Sequence, residues 1–466
     1  MPPSAKSSNG RVPIIDYLLL GAVAASPLQR AFTLDLGVPL KLSEVLIVLA
    51  ALSYPFIVRA RGTKLVEGPW VVLLGVVVCA SAAYHLLLPD PPGPYPGYTR
   101  GVTQDMLLYV AFSLLVVIAW MLVSRMDSER VRKAFVVAVW ICIVTTAVQF
   151  VLYTAGLESV LKLLNYQTER VGTGFGIDSL RTGPFVEGQH LGFFAGAGLF
   201  ICLQQRKYAA AAGALACVIY SQSTTALIAL IVSAGLLFVI RPETKTQVRL
   251  LFGVATFAAA ANFIPSVRSF LAFQLAKMGF GEAADTTAND ISATTRPAKG
   301  GLAWEMATDH PILGIGPGRF GVWFQHYAVP TDFSEKYFNG INRPIVENGY
   351  LQLAAEVGIP ALLVLGIVLV LLAYRAYRWS GLTFALVVFV AISIATLSSW
   401  TFGPLWLILA YVATLRPEAA AQVEPDGEAG ASSALSAWSR SRPADGEVSE
   451  PLGIRRRADT RTPPDR

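Results

Sequence analysis

Glu347-Asn348-Gly349-Tyr350-Leu351-Gln352-Leu353-Ala354-Ala355-Glu356 is the point where a long polar interruption, residues 265–348, returns to apolar sequence. Working outward, the chain before residue 265 is near-continuously apolar between short charged connections, and so is the chain from 350 to 415. Polar chain held in one place between membrane segments is where the chemistry is expected. Inside the interruption lie Arg296 and the run Gly314-Ile315-Gly316-Pro317-Gly318-Arg319.

Composition sets the class. Of 466 residues, 54% are hydrophobic and only 15% charged, and the mean hydropathy is +0.53. A soluble chain of this length would carry about 25% charged residues. The reading is an integral, all-α membrane protein: a polytopic bundle of about twelve transmembrane helices with one large extracytoplasmic loop. The formal charge of +6 sits in connections between apolar runs, which is a topology signal and excludes a nucleic-acid surface as its explanation. Cys79, Cys142, Cys202 and Cys217 each lie within apolar runs without metal-ligand spacing, and read as small hydrophobes. No metal site or cofactor is expected. The four histidines are scattered, and no Asp-x-Asp pair occurs. Asp127-Ser128-Glu129 comes closest, and it suits the start of a helix.

The apolar runs fall at about 12–25, 42–58, 69–88, 106–124, 134–155, 191–204, 208–220, 224–240, 250–264, 350–374, 382–397 and 403–415. Several are shorter than the roughly 20 residues that cross a bilayer. The first resembles a signal peptide, but Asp16 within it and the spans that follow favour an uncleaved helix. Arg59/Arg61/Lys64, Arg125/Arg130/Arg132/Lys133, Arg206/Lys207, Arg241/Lys245/Arg249, Arg375/Arg378 and Arg416 occupy alternate connections, and Lys6 and Arg11 precede the first run. Positive-inside bias therefore places both termini in the cytoplasm and the loops 89–105, 158–189 and 265–348 outside. The chain divides into helices 1–9 over 1–264, the outer loop 265–348, helices 10–12 over 349–416, and a tail 417–466 whose Ala, Pro, Ser, Glu and Arg composition predicts disorder. No segment repeats another.

Two outer loops carry the candidate chemistry. One runs from Glu169-Arg170 through Arg181-Thr182-Gly183-Pro184-Phe185-Val186-Glu187-Gly188-Gln189-His190 into a helix. Arg181 is positioned to clamp phosphate oxygens with its guanidinium fork, or else to pair with Glu187 at the bilayer edge. His190 by itself fits a hydrogen-bonded wall better than a catalyst. In the other loop, 292–308 has helical spacing with Arg296 near its start. The alternating glycines at 314, 316 and 318 either bring backbone N–H groups to an anion or make a tight turn that folds the loop back. Glu347, with Gln352 and Glu356 further along nearly the same helical face, offers a partly desolvated carboxylate for general-base work. The alternative is a carboxylate lining a wet vestibule.

In this order, Arg181-Thr-Gly-Pro-Phe185, Ser221-Gln-Ser-Thr-Thr-Ala-Leu227, Arg296 with Trp304, Asp309-His-Pro-Ile-Leu-Gly-Ile-Gly-Pro-Gly-Arg-Phe320 and Glu347-Asn-Gly-Tyr-Leu-Gln-Leu-Ala-Ala-Glu-Val-Gly-Ile-Pro360 resemble the O-antigen ligase and polymerase superfamily over about 107–415. The resemblance implies a bundle of about a dozen transmembrane helices with a large outer loop. It also implies transfer of a glycan from an undecaprenyl-diphosphate-linked oligosaccharide to an acceptor glycan hydroxyl at the outer face of a bacterial cytoplasmic membrane. No nucleotide sugar, metal or nucleic acid takes part, and other polysaccharide-assembly proteins are possible partners. Arg181 and Arg296 would bind the diphosphate, and a base would assist the acceptor hydroxyl. Many members have His directly before the Asn of the last motif; here that position is Glu347, so Glu347 takes the role of base, or His326 or His310 replaces it. Arg170, Glu187, His190, Arg319, Asn348, Glu356 and His326 are the candidates for substrate contact around Glu347, Arg181 and Arg296. The altered motif tilts the expectation towards a polymerase over a ligase. The rival classes are a polysaccharide or lipid transporter and an inactive assembly partner. Transporters tend to show internal repeats and midplane charges, whereas here ionisable groups gather at the outer surface.

Overall fold

The computed structural model describes residues 14–31, 33–35, 39–57, 66–91, 93, 101–168, 180–240, 268–269, 272, 274, 291–328 and 343–415. The expected span 250–264, the proline-rich stretch 94–100, Arg170 and the tail 417–466 lie outside the described residues. The chain separates into a unit of Met1–Arg416 and a unit of Pro417–Arg466, and all described residues belong to the first.

The described chain is helical: α1 (Ile14–Ala24), α2 (Leu42–Ile57), α3 (Gly68–Leu86), α4 (Val102–Val123), α5 (Ser128–Thr154), α6 (Glu158–Leu163), α7 (Gly188–Gln204), α8 (Tyr208–Ser221), α9 (Thr224–Ile240), α10 (Ile291–Asp309), α11 (Phe320–Tyr327), α12 (Gly349–Val357), α13 (Ile359–Trp379), α14 (Gly381–Ile394) and α15 (Gly403–Thr414). One two-residue antiparallel pair, Leu34–Asp35 with Pro39–Leu40, precedes α2. Asp127 caps α5, its carboxylate accepting from the Arg130 backbone N–H at 3.0 Å.

Among the described residues, four helices are long and apolar enough to cross a membrane: α3, α4, α5 and α13. Their outward sides carry large apolar residues such as Leu107, Ile118, Val144, Val151, Leu363 and Val370. A monomer in water would not leave so much contiguous apolar surface uncovered. The other apolar helices, among them α1, α8, α9, α14 and α15, are shorter. Helix length thus supports a multi-pass membrane protein but does not by itself give twelve spans. The expected single span 350–374 is corrected. Gly358, at φ 104°, ends α12, and α13 begins at Ile359. Helix α15 is the strut of the bundle. Every residue from Pro404 to Thr414 is buried, against α4, α13, α5, α14 and α7.

Contacts sort the helix ends into two groups. At one end Arg130 pairs with Asp16 at 3.5 Å, and Gln205 donates to the Arg132 carbonyl at 2.9 Å. There too, Arg375 grips the buried Glu67 through two bonds of 2.7 and 2.8 Å while donating to the Leu415 carbonyl. At the other end Arg30 N–H bonds the Pro184 carbonyl, His85 meets the Gly314 carbonyl at 2.9 Å and Arg343 pairs with Asp105 at 2.8 Å. The second end holds the candidate site.

Candidate active site

The site is assembled from three segments distant in sequence. Helix α10 places Arg296 and Lys299 three residues apart, hence on neighbouring faces. Its apolar residues Ala303 and Met306 pack with Ala355 of α12. That packing brings both cations to Glu347, just before α12. Arg296 Nε is bonded to Glu347 Oε2, and Lys299 Nζ lies 3.1 Å from Oε1. The Lys299 side chain is only 2% exposed, a cost in desolvation that its carboxylate partner offsets. Asn348 Oδ1 accepts from the N–H groups of Tyr350 and Leu351, both at 3.1 Å. Asn348 is therefore the N-cap of α12, a role that fixes Glu347 at the positive end of a helix.

The third segment is the turn 181–187 leading into α7. Its buried residues Thr182, Gly183, Pro184 and Phe185 are pinned by Gln149, which donates to Thr182 Oγ1 at 3.0 Å and accepts from Gly183 N–H at 2.7 Å. A Cβ at Gly188 would lie 2.6 Å from the Ser221 carbonyl oxygen and 3.1 Å from the Arg181 side-chain stem, so glycine lets the start of α7 pack this closely against both. Glu187 accepts from Gln189 through Oε2. Burial, reinforced by the charge of Glu347, pushes the Glu187 carboxyl above its ordinary range, against the opposing effects of Arg296, the Gln189 bond and Arg181. Arg181, Arg296 and Glu347 all act on the Glu187 carboxyl, and Lys299 joins them through Glu347, so basic and acidic side chains from three segments gather at one place. His190 borders it as a wall, its ring stacked on Phe402 at 4.6 Å and its Nε2 3.3 Å from Ser398 Oγ.

Other sequence candidates belong elsewhere. Glu356 is buried, with the N–H groups of Gly318 and Phe320 and the Tyr109 hydroxyl directed at its carboxylate. Gln352 donates to the same hydroxyl at 2.9 Å. The group that the glycine turn faces is the protein's own Glu356 carboxyl, and the turn folds the loop back onto α12. Arg319, 2% exposed, pairs with Asp90. Arg343 joins Asp105 to the Gly318 carbonyl at 2.6 Å. His326 is exposed on α11, edge-on to Trp323, whose ring also meets His310; neither histidine stands in for Glu347 in the pairing with Arg296 and Lys299. Arg170 lies outside the described residues.

Sequence reasoning missed Lys299, Arg343 and Tyr109. The signal for Lys299 was present, since a second cation three positions beyond Arg296 shares its side of the helix. Arg343 and Tyr109 carried no local signal, because their partners are 238 and 243 residues away.

No curated protein matches the chain. Residues 209–366, from α8 into α13 and including Arg296, Lys299 and Glu347 but not Arg181 or Glu187, match the family model described as O-Antigen ligase.

Proposed function

We propose that the protein transfers a glycan from an undecaprenyl-diphosphate-linked donor to an acceptor sugar hydroxyl, as a polysaccharide polymerase more than as a ligase, without a metal or organic cofactor. The observation that carries this is the convergence of Arg181, Arg296 and Lys299 with two carboxylates at one end of a membrane bundle, three of the five residues inside the matched stretch. In bond terms, the acceptor oxygen attacks the anomeric carbon and the carbon–oxygen bond to the diphosphate breaks. The electron pair leaves with the diphosphate. In this reading Arg181 and Arg296 receive that charge through their guanidinium donors. Glu347, with both oxygens engaged by cations, holds Arg296 and Lys299 in position. The shorter apolar helices complete the membrane domain, the segment 265–348 is its outer loop, and both termini face the cytoplasm of a bacterial inner membrane.

The test is transfer by the purified full chain from a lipid-diphosphate-linked oligosaccharide to its acceptor, with and without EDTA. Wild type is expected to release carrier diphosphate and extend the acceptor in both conditions. Arg296→Ala, which removes a donor to the leaving group, is expected to lower kcat/KM by about a hundredfold or more. Turnover by wild type that Arg296→Ala leaves intact would move the diphosphate site elsewhere. Absence of turnover with a cognate donor and acceptor would favour a transporter or an assembly partner.

A further inference from the structure

The two carboxylates of the cluster are not equivalent. Glu347 is held at both oxygens, Oε2 by Arg296 and Oε1 by Lys299. Glu187 receives, among the described residues, a hydrogen bond from Gln189 at Oε2 alone. Its Oε1 has no such partner and is not sealed in the protein interior, since it is absent from the fully buried, unpartnered polar atoms. Glu187 also stands in an extended conformation at the entrance of α7, on a turn pinned by Gln149 and by Arg30, so its carboxylate is held on a fixed support. We infer that Glu187, through Oε1, is the general base that takes the proton of the acceptor hydroxyl, and that Glu347 is a positioning residue.

This rests on the transfer reaction proposed above. As the acceptor oxygen bonds to the anomeric carbon, its proton passes to Glu187 Oε1, and the diphosphate leaves with the electron pair of the broken bond. The proton acceptor must have an available lone pair and a basicity near the working pH. A carboxylate already bonded to two cations meets the first requirement poorly. Among the described residues, the groups that face Glu187 are Gln189 on its own helix, Arg181 on its own turn, Arg296 from α10 and Glu347 at the entrance to α12. Burial and Glu347 raise the Glu187 carboxyl and outweigh the two arginines, which brings it towards the range of an effective base. The first motif of the outer surface and the domain match then contribute different halves of one reaction. The matched segment supplies Arg296, Lys299 and Glu347; the turn before it supplies Arg181 and the base.

The experiment compares initial rates of the full-length wild type, Glu187→Gln, Glu187→Asp and Glu347→Gln with lipid-diphosphate-linked oligosaccharide over a range of pH. Because a base must be deprotonated to act, the wild-type rate should fall as pH falls through the raised Glu187 pKa. Glu187→Gln should lower kcat by about a hundred- to ten-thousand-fold with donor KM unchanged, and the acid limb should vanish from the residual rate. Glu187→Asp should retain an acid limb at reduced kcat. Glu347→Gln should instead raise donor KM. Wild-type kcat in Glu187→Gln, or an unchanged acid limb there, overturns the assignment while leaving the transfer reaction standing. Should Glu187→Gln lose its fold, Glu187→Asp decides, and a profile identical to wild type in rate and pH dependence overturns the assignment. A wild type that transfers nothing overturns both.

Discussion

Glu356 shows how burial decides what a carboxylate does. It lies on α12, outside the four helices long enough to span the membrane. Burial pushes its carboxyl up from 4.5 to about 7, against the Gly318 N–H, the Arg343 charge, the Phe320 N–H and the Tyr109 hydroxyl. The folded protein therefore binds more protons at Glu356 than the unfolded chain between those two values. The sign follows from linkage: stability falls as pH rises through that window. Glu356→Gln removes the titration. Its thermal midpoint should gain on wild type as pH is raised from acid to neutral, and a gap that closes over the same range would show that the fold favours the ionised form. Glu187 is raised for the same first reason, but its open oxygen gives the shift a chemical use.

At the scale of elements, the turn 311–318 and the α12–α13 break are two halves of one joint. Helix ends leave backbone groups without intrahelical partners, and here they satisfy each other. Ile315 N–H bonds the Ala355 carbonyl at 2.8 Å, Gly316 N–H bonds that of Glu356 at 3.0 Å, and Ile359 N–H bonds that of Pro311 at 2.8 Å. Gly314, at φ 63°, lies so close that a Cβ would sit 2.5 Å from the Ala355 carbonyl oxygen. Backbone cannot move aside as a side chain can. Gly314→Ala should destabilise by about 1–3 kcal/mol from the left-handed conformation alone, with the clash added, read as a lower thermal midpoint and faster proteolysis near the joint. Gly366→Ala in α13, with no heavy atom within 4 Å of the added carbon, is the control and should be near neutral. Equal midpoints for the two variants would mean that the joint relaxes freely. Because Glu347 and Glu356 stand at opposite ends of the nine-residue α12, the joint also sets where Glu347 meets Arg296.

For the whole molecule, the sorting of helix ends turns the charge pattern into a topology. Arg130, Arg132 and Arg375 gather at one end, while the Arg181–Glu187–Arg296–Glu347 cluster lies at the other. Positive-inside bias predicts that the first end is the cytoplasmic one. An impermeant thiol reagent should therefore label Ile312→Cys in intact cells, since Ile312 is 70% exposed beside the glycine turn. Lys133→Cys, 70% exposed at the start of α5, should label only after permeabilisation. The reverse pattern would invert the protein and place the site inside. The bidentate Glu67–Arg375 pair adds a second point. Arg375 looked like a flanking charge in sequence, but it is also bonded to the carbonyls of Ala413 and Leu415, so it fastens the end of the central helix.

Sequence alone determined the membrane class, the helical character, the positions of most apolar helices and the resemblance that the match over residues 209–366 supports, because hydropathy and local motifs are properties of neighbouring residues. It also placed Arg181, Arg296 and Glu347 among the candidates, since charges beside apolar runs stand out. Tertiary structure decided which of those charges meet. Glu347 is bound by Lys299 as well as Arg296, the glycine turn faces Glu356, and Arg319 is paired with Asp90 across 229 residues. Residue type fixes which bonds a side chain is able to make. Burial and the competition among distant partners fix which it makes, and both come into being only when the helices pack.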